Sequence, residues 1–142
     1  MNVSDCMNRH VIAISPGESV AVAARMMARH NVGALPVRDT DGVLCGIVTD
    51  RDMVLRCMAL NRPAEKTSVS MVMTNRVAVV SPNDSLSRAA ACMAREQVRR
   101  LPVVEGRRLV GVLSLGDLSH NDDYAMEAAE ALCEITANIK SL

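Results

Sequence analysis

The chain is written twice, and this limits its fold more than any other feature. Ile14-Ser15-Pro16 returns as Val80-Ser81-Pro82, an offset of 66 residues. At the same offset Val20, Ala23, Ala24 and Met27 return as Leu86, Ala89, Ala90 and Met93, and Leu35-Pro36-Val37 returns as Leu101-Pro102-Val103. One residue is then lost. Gly46-Ile47-Val48-Thr49-Asp50-Arg51-Asp52 returns as Gly111-Val112-Leu113-Ser114-Leu115-Gly116-Asp117 at an offset of 65. Two copies in register point to a pseudo-twofold pair, because a solenoid needs three or more units.

Both copies carry the same expected elements. Ser15-Pro16-Gly17-Glu18 and Ser81-Pro82-Asn83-Asp84 read as helix starts, with a Ser to cap, Pro in the first turn and an acid beyond it. Positions 20, 23, 24 and 27, and again 86, 89, 90 and 93, form an apolar face at helical spacing. Their Met residues read as core filler. His30-Asn31 and Glu96-Gln97 end these helices. Segments 33–37 and 100–104 read as strands, answered by 43–49 and 109–114 across the turns Thr40-Asp41-Gly42 and Glu105-Gly106. A second helix opens near Asp50 and runs to about Leu60, while its counterpart after Asp117 is short and breaks near Asn121. Each copy is therefore β-α-β-β-α, and the fold class is α/β of the α+β kind. The expected boundaries are repeat one at 1–61, a polar linker at 62–70, repeat two at 71–120 and a C-terminal amphipathic helix at 121–142. Asn121-Asp122-Asp123 would cap that last helix. Ala125, Ala128, Leu132, Ile135 and Ile139 form a heptad seam about two heptads long. Such a helix either docks on its own domain or contributes to a dimer interface.

Composition removes several functions. Lys+Arg and Asp+Glu number 16 each, so no general polyanion-binding surface is expected. Arginines 95, 99, 100, 107 and 108 read as a solvated face or cleft rim. Phe and Trp are absent and Tyr124 is the one aromatic residue, which argues against a stacking platform for single-stranded nucleic acid. No apolar run is long enough to span a membrane. The first residues lack a basic and an apolar region of the secretory kind, so a cytoplasmic setting is expected. The five cysteines include no CxxC pair and read as reduced, small apolar fillers. His10, His30 and His120 are dispersed, and there is no HExxH, Walker loop or GxGxxG. Cys6 and His10 supply two of the four ligands a structural zinc needs. The expectation is a protein without catalytic residues, without a metal and without a required cofactor.

The chemistry lies in the loop after the last strand of each copy. It places a hydroxyl, Thr49 or Ser114, three residues before a carboxylate, Asp52 or Asp117. Hydroxyl-x-x-carboxylate is an ordinary helix cap. It is also a way to hold a phosphate on a hydroxyl and backbone amides, and a ribose on a carboxylate. Recurrence at matching places favours the second use without excluding the first. Arg51 adds a phosphate partner in copy one. Copy two has Gly116 there, with Arg99 and Arg100 before its middle strand.

The repeated Ser-Pro start, the Leu-Pro-Val strand and the Gly-Ile-Val-Thr-x-x-Asp or Gly-Val-Leu-Ser-x-x-Asp ending resemble a tandem pair of CBS domains, a Bateman module, over about residues 5–120. Gly33-Ala34-Leu35-Pro36-Val37 and Thr49-Asp50-Arg51-Asp52 are similar to the stand-alone mycobacterial hypoxic response protein group. The resemblance implies two units packed sheet to sheet with clefts that take AMP, ADP, ATP or S-adenosylmethionine. It implies that Asp52 and Asp117 hold ribose and that Thr49, Ser114, Arg51, Gly116 and Arg100 lie at phosphate. The base would rest on middle-strand residues of the other copy, Val32, Gly33 and Ala34 for one cleft and Val98 and Arg99 for the other. Met7-Asn8-Arg9-His10 and Met73-Thr74-Asn75-Arg76 would edge the clefts. The implied function is non-catalytic, energy-sensing regulation by a homodimer acting on an unknown partner protein. The alternative is a ligand-free interaction or stress module that acts through dimerisation and its C-terminal helix.

Overall fold

A computed structural model describes residues 1–120 and 124–137. In chain order the elements are α1 (Val3–Cys6), α2 (Val20–His30), β1 (Ala34–Arg38), β2 (Leu44–Thr49), α3 (Asp50–Met53) running into a π-helical turn (Val54–Met58), α4 (Val69–Val72), α5 (Leu86–Glu96), β3 (Arg100–Glu105), β4 (Arg108–Ser114), α6 (Leu115–Ser119) and α7 (Ala125–Ala137). The strands form two antiparallel hairpins, β1-β2 and β3-β4. Each hairpin turns on a glycine with positive φ, Gly42 at 83° and Gly106 at 66°. In each repeat the first strand of the expected β-α-β-β-α order is reduced to one parallel bridge, Ile14 to Val37 and Val80 to Val103.

The chain forms two compact units that do not follow the sequence boundaries. One is Ile12–Val77, and the other is Met1–Val11 together with the chain from Ala78 on. The segment expected as a linker, 62–70, belongs to the first-repeat unit: the Val20 and Ala21 amides donate to the Thr67 and Ala64 carbonyls. Residues 1–11, expected in repeat one, belong to the second-repeat unit. There the Val3 and Ser4 amides donate to the Asp84 and Pro82 carbonyls, and Asn8 exchanges both backbone bonds with Val112. In the first-repeat unit Val69 and Ser70 donate to Glu18 and Pro16, and Thr74 exchanges both bonds with Ile47. The two arms do equivalent work, so each repeat is completed by the segment that precedes the other repeat's sequence.

This explains where the Ser-Pro expectation fails. Ser15–Glu18 and Ser81–Asp84 are turns, closed by Glu18 and Asp84 amides on the Ser15 and Ser81 carbonyls. Their remaining carbonyls receive α4 and α1. The helices start four residues later. Ser19 and Ser85 are the N-caps, each hydroxyl accepting at 3.1 Å from the amide of Val22 or Arg88. Asn31 and Gln97 close the helices in the left-handed conformation.

Each core is aliphatic. Leu35, Val37 and Val48 of β1-β2 meet Val20, Ala23 and Met27 of α2, sealed by Val69 and Val72. Leu101, Val103 and Leu113 of β3-β4 meet Leu86, Ala89 and Met93 of α5, sealed by Val3 and Met7. Here α7 packs on α5 and α6. It buries Ala128, Ala131 and Ile135, while Ala125 and Leu132 of the expected seam are exposed. Ala128 and Ile135 of the expected seam are thus buried, with Ala131 in place of Leu132, as the helix covers its own unit. The expected cap Asn121-Asp122-Asp123 and Ile139 lie outside the described residues.

Candidate functional site

Both hydroxyl-x-x-carboxylate loops are reciprocal caps. Thr49 ends β2, and its hydroxyl accepts from the Asp52 amide at 3.0 Å while Asp52 Oδ2 accepts from the Thr49 amide at 3.0 Å. Ser114 and Asp117 repeat this at 3.1 and 2.8 Å. A strand therefore hands over to a helix at a fixed angle, holding hydroxyl and carboxylate side by side.

The middle strand of each repeat supports its own loop. Ala34 pairs with Thr49 and Arg100 with Ser114. The Asp50 amide donates to the Gly33 carbonyl at 2.9 Å, and the Leu115 amide to the Arg99 carbonyl at 2.8 Å. Val32 and Val98 lie half-buried against their cores, and Arg51, Gly33, Arg99, Arg100 and Gly116 are exposed. Each loop thus stands beside strand residues of its own repeat, whereas the resemblance set the base of each cleft on those of the other copy.

The two carboxylates differ. Asp52 is 8% exposed, and both its oxygens also face the Thr74 hydroxyl at 3.2 and 3.3 Å. Asp117 is half-buried, and among the described residues only the Ser114 amide meets its carboxylate. Asn8, which takes the place of Thr74, instead accepts from the His10 amide at 2.9 Å. Asp117 therefore keeps acceptor capacity that Asp52 has spent.

A cavity of about 530 Å³ opens over the second loop. Arg99, Arg100, Ser114 and Gly116 line it from the repeat. Its opposite wall, Ala125, Ala128, Ala129 and Leu132 of α7, was not foreseen. The alanine row at 125, 128 and 129 was the available signal, since small residues let a helix stand close without filling the space. Among the described residues no three His, Cys, Asp or Glu side chains gather to hold a metal ion. No described helix is long and apolar enough to cross a membrane.

The paired hairpins with their capped strand-to-helix loops match the CBS domain, at residues 3–58 and 69–123, and the chain belongs to that family. It is 43% identical over 135 residues to the CBS domain-containing protein YhcV of Bacillus subtilis (strain 168), covering 95% of each chain. Hypoxic response protein 1 of Mycobacterium tuberculosis (strain ATCC 25618 / H37Rv) is 31% identical over 131 residues, covering 91% of this chain and 92% of that one. A crystal structure of Hypoxic Response Protein I with two coordinated zinc ions superposes with a TM-score of 0.78 at 30% identity, over 85% of this chain and 98% of that one. The CBS domain pair of protein MJ0100, in complex with 5-methylthioadenosine and S-adenosyl-L-methionine, gives a TM-score of 0.72 at 28% identity, over 84% of this chain and 94% of that one. The chain is a tandem CBS module of mixed helix and strand, a regulatory class of domain.

Proposed function

We propose that the module is a non-catalytic sensor of an adenosine nucleotide of the AMP, ADP or ATP class. The observation that carries this is the capped hydroxyl-carboxylate loop, present at the same place in both repeats and flanked in the second by Arg99 and Arg100. Asp117 offers a carboxylate oxygen to ribose hydroxyls, and Ser114 keeps its hydroxyl proton for a phosphate oxygen. Two guanidiniums favour phosphates over the sulfonium of S-adenosylmethionine, since like charges repel. The ligand complex of the MJ0100 pair supports an adenosine ligand in general terms. The first repeat contributes Thr49, Arg51 and Asp52 to a second, more self-satisfied site. Ligand changes the module by binding one arrangement better than another, and a homodimer or partner protein reads the change.

A thermal-shift panel of ATP, ADP, AMP, GTP, NADH and S-adenosylmethionine tests this. At 100 times its dissociation constant a ligand adds about 2.7 kcal/mol, several degrees for a domain of this size. The expected result is a shift with adenosine phosphates that Asp117→Ala removes and Asp52→Ala reduces. No shift in nucleotide-free protein would overturn the reading. Light scattering at a strict monomer mass would overturn the homodimer.

The interaction-module reading has its own observation. Val54, Leu55, Met58 and Leu60 are 48–69% exposed along one stretch of the first-repeat unit, an apolar surface a partner would cover. Unchanged dimerisation and stability in nucleotide-free Asp52→Ala and Asp117→Ala, with no ligand response in the parent, would favour it.

A further inference from the structure

The cavity of the second-repeat unit has two unlike sides. On one stand Arg99, Arg100 and Ser114. On the other are Leu115 and the Ala125, Ala129 and Leu132 side chains of α7. Among the described residues neither Arg99 nor Arg100 has an ion-pair partner. Among the described residues no Asp or Glu lines the cavity. Ser114 Oγ accepts from the Asp117 amide, which leaves its proton to donate. Positive charge and donors therefore share with aliphatic side chains a volume within the usual range for small-molecule sites, about 300–1,000 Å³.

The first repeat has no such arrangement. Gly33 and Ala34 stand where the second has Arg99 and Arg100, and Asp50 stands where it has Leu115. A Cβ on Gly33 would lie 3.1 Å from the Asp50 carboxylate, so a negative charge occupies the equivalent spot. The paired guanidiniums are a feature of the second repeat, whereas the first has Arg51 at the place of Gly116. The CBS match ends at residue 123, and α7 begins at Ala125. One wall of the site thus comes from outside the repeats.

We infer that α7 is part of the ligand site: the cavity takes a phosphate-bearing small molecule of mononucleotide size, with its phosphate on Arg99, Arg100 and Ser114 and its apolar part on Ala125, Ala129 and Leu132. This deepens the nucleotide reading above and rests on it for the ligand class. A ligand that touches α7 only when the helix is docked on α5 and α6 holds it there, so occupancy is reported by the C-terminal helix.

Hydrogen exchange of residues 124–137 in the full chain, with and without ATP or AMP, reads the effect directly. At 100 times the dissociation constant, exchange through undocking of α7 slows by up to about 100-fold. Ala129→Glu and, separately, Leu132→Glu place a carboxylate opposite the arginines. Both positions are exposed in the free protein, so each variant is first checked for parental melting and parental α7 exchange. Either variant is expected to weaken nucleotide binding tenfold or more in calorimetry. Nucleotide binding with unchanged α7 exchange and unchanged affinity in both variants overturns the inference and leaves the nucleotide reading standing. If no nucleotide binds, that reading fails and inorganic pyrophosphate decides the inference. Pyrophosphate binding lost in Ala129→Glu and in Arg100→Ala upholds the composite anion site, and no pyrophosphate binding overturns it.

Discussion

The Thr74 hydroxyl donates to the carboxylate of Asp52, at 3.2 and 3.3 Å from its two oxygens, and the equivalent residue of the other repeat, Asn8, does nothing of the kind for Asp117. The two sites are thus built alike and finished differently. Asp52 is buried, so its charge needs every donor it has.

Thr74→Val keeps the shape and removes the donor. A hydrogen bond to a charged group contributes about 1.5–3 kcal/mol, and the loss should fall in that range. Asn8→Ala, at an exposed position, should change stability by less than about 0.5 kcal/mol. Urea denaturation of both variants checks the contrast. Equal losses would show that Thr74 is not a partner of the charge.

Gly46 and Gly111 sit where each arm crosses its hairpin. A Cβ on Gly46 would lie 2.6 Å from the Thr74 carbonyl oxygen, whereas one on Gly111 would first meet the flexible Met7 sulfur at 2.8 Å and the Asn8 carbonyl at 3.0 Å. Backbone cannot step aside as a methionine can. Gly46→Ala should cost about 1–3 kcal/mol, at the upper end of that range, and Gly111→Ala less. Denaturation midpoints rank the two.

Met7 is 9% exposed and packs in the second-repeat core although it precedes the first repeat. Met7→Ala should cost about 2–5 kcal/mol. Hydrogen exchange then locates the damage. It should accelerate in β3 and β4 and spare β1 and β2. Faster exchange in β1 and β2 instead would contradict the division into units.

Burial raises the Cys92 thiol above its ordinary range, and the nearby Arg95 opposes this only in part. The unfolded chain loses that proton near pH 8.5, and the folded one keeps it to higher pH. The folded state then holds more protons, so this contribution is complete below about pH 8.5 and is lost as pH rises through the folded value. Cys92→Ala should flatten the alkaline fall in stability. In native protein a thiol reagent should modify exposed Cys133 first and leave buried Cys57 and Cys92 until unfolding.

Much of this was legible because it is local. The apolar rows of α2 and α5, the Gly-bearing hairpins and the capping loops follow from neighbours within a few residues, except that Ala24 of the expected α2 row is exposed and Ala21 is buried instead. Ser19 and Ser85 were legible too, each directly before an apolar row, but the Ser-Pro pairs four residues earlier offered a competing cap. What stayed hidden is non-local. Nothing in residues 1–11 says that Val3 and Met7 belong with Leu86 and Leu113, because both repeats offer equivalent docking edges. The Thr74 bond to Asp52 spans 22 residues and depends on that docking. The α7 wall depends on which helical row faces inward, and Ala131 is buried there in place of the expected Leu132.

The exchange of arms also sets an order of events during synthesis. The arm at 1–11 is made first, yet its partner Val112 follows roughly a hundred residues later, about 5–20 s at ordinary elongation rates. The unit Ile12–Val77 contains all its own pieces and can close as soon as Val77 clears the ribosome. Until β4 emerges, Val3 and Met7 wait with their apolar side chains uncovered. The nascent chain therefore carries a finished first repeat beside an open clasp, and the second repeat folds by fastening onto residues that were translated before either.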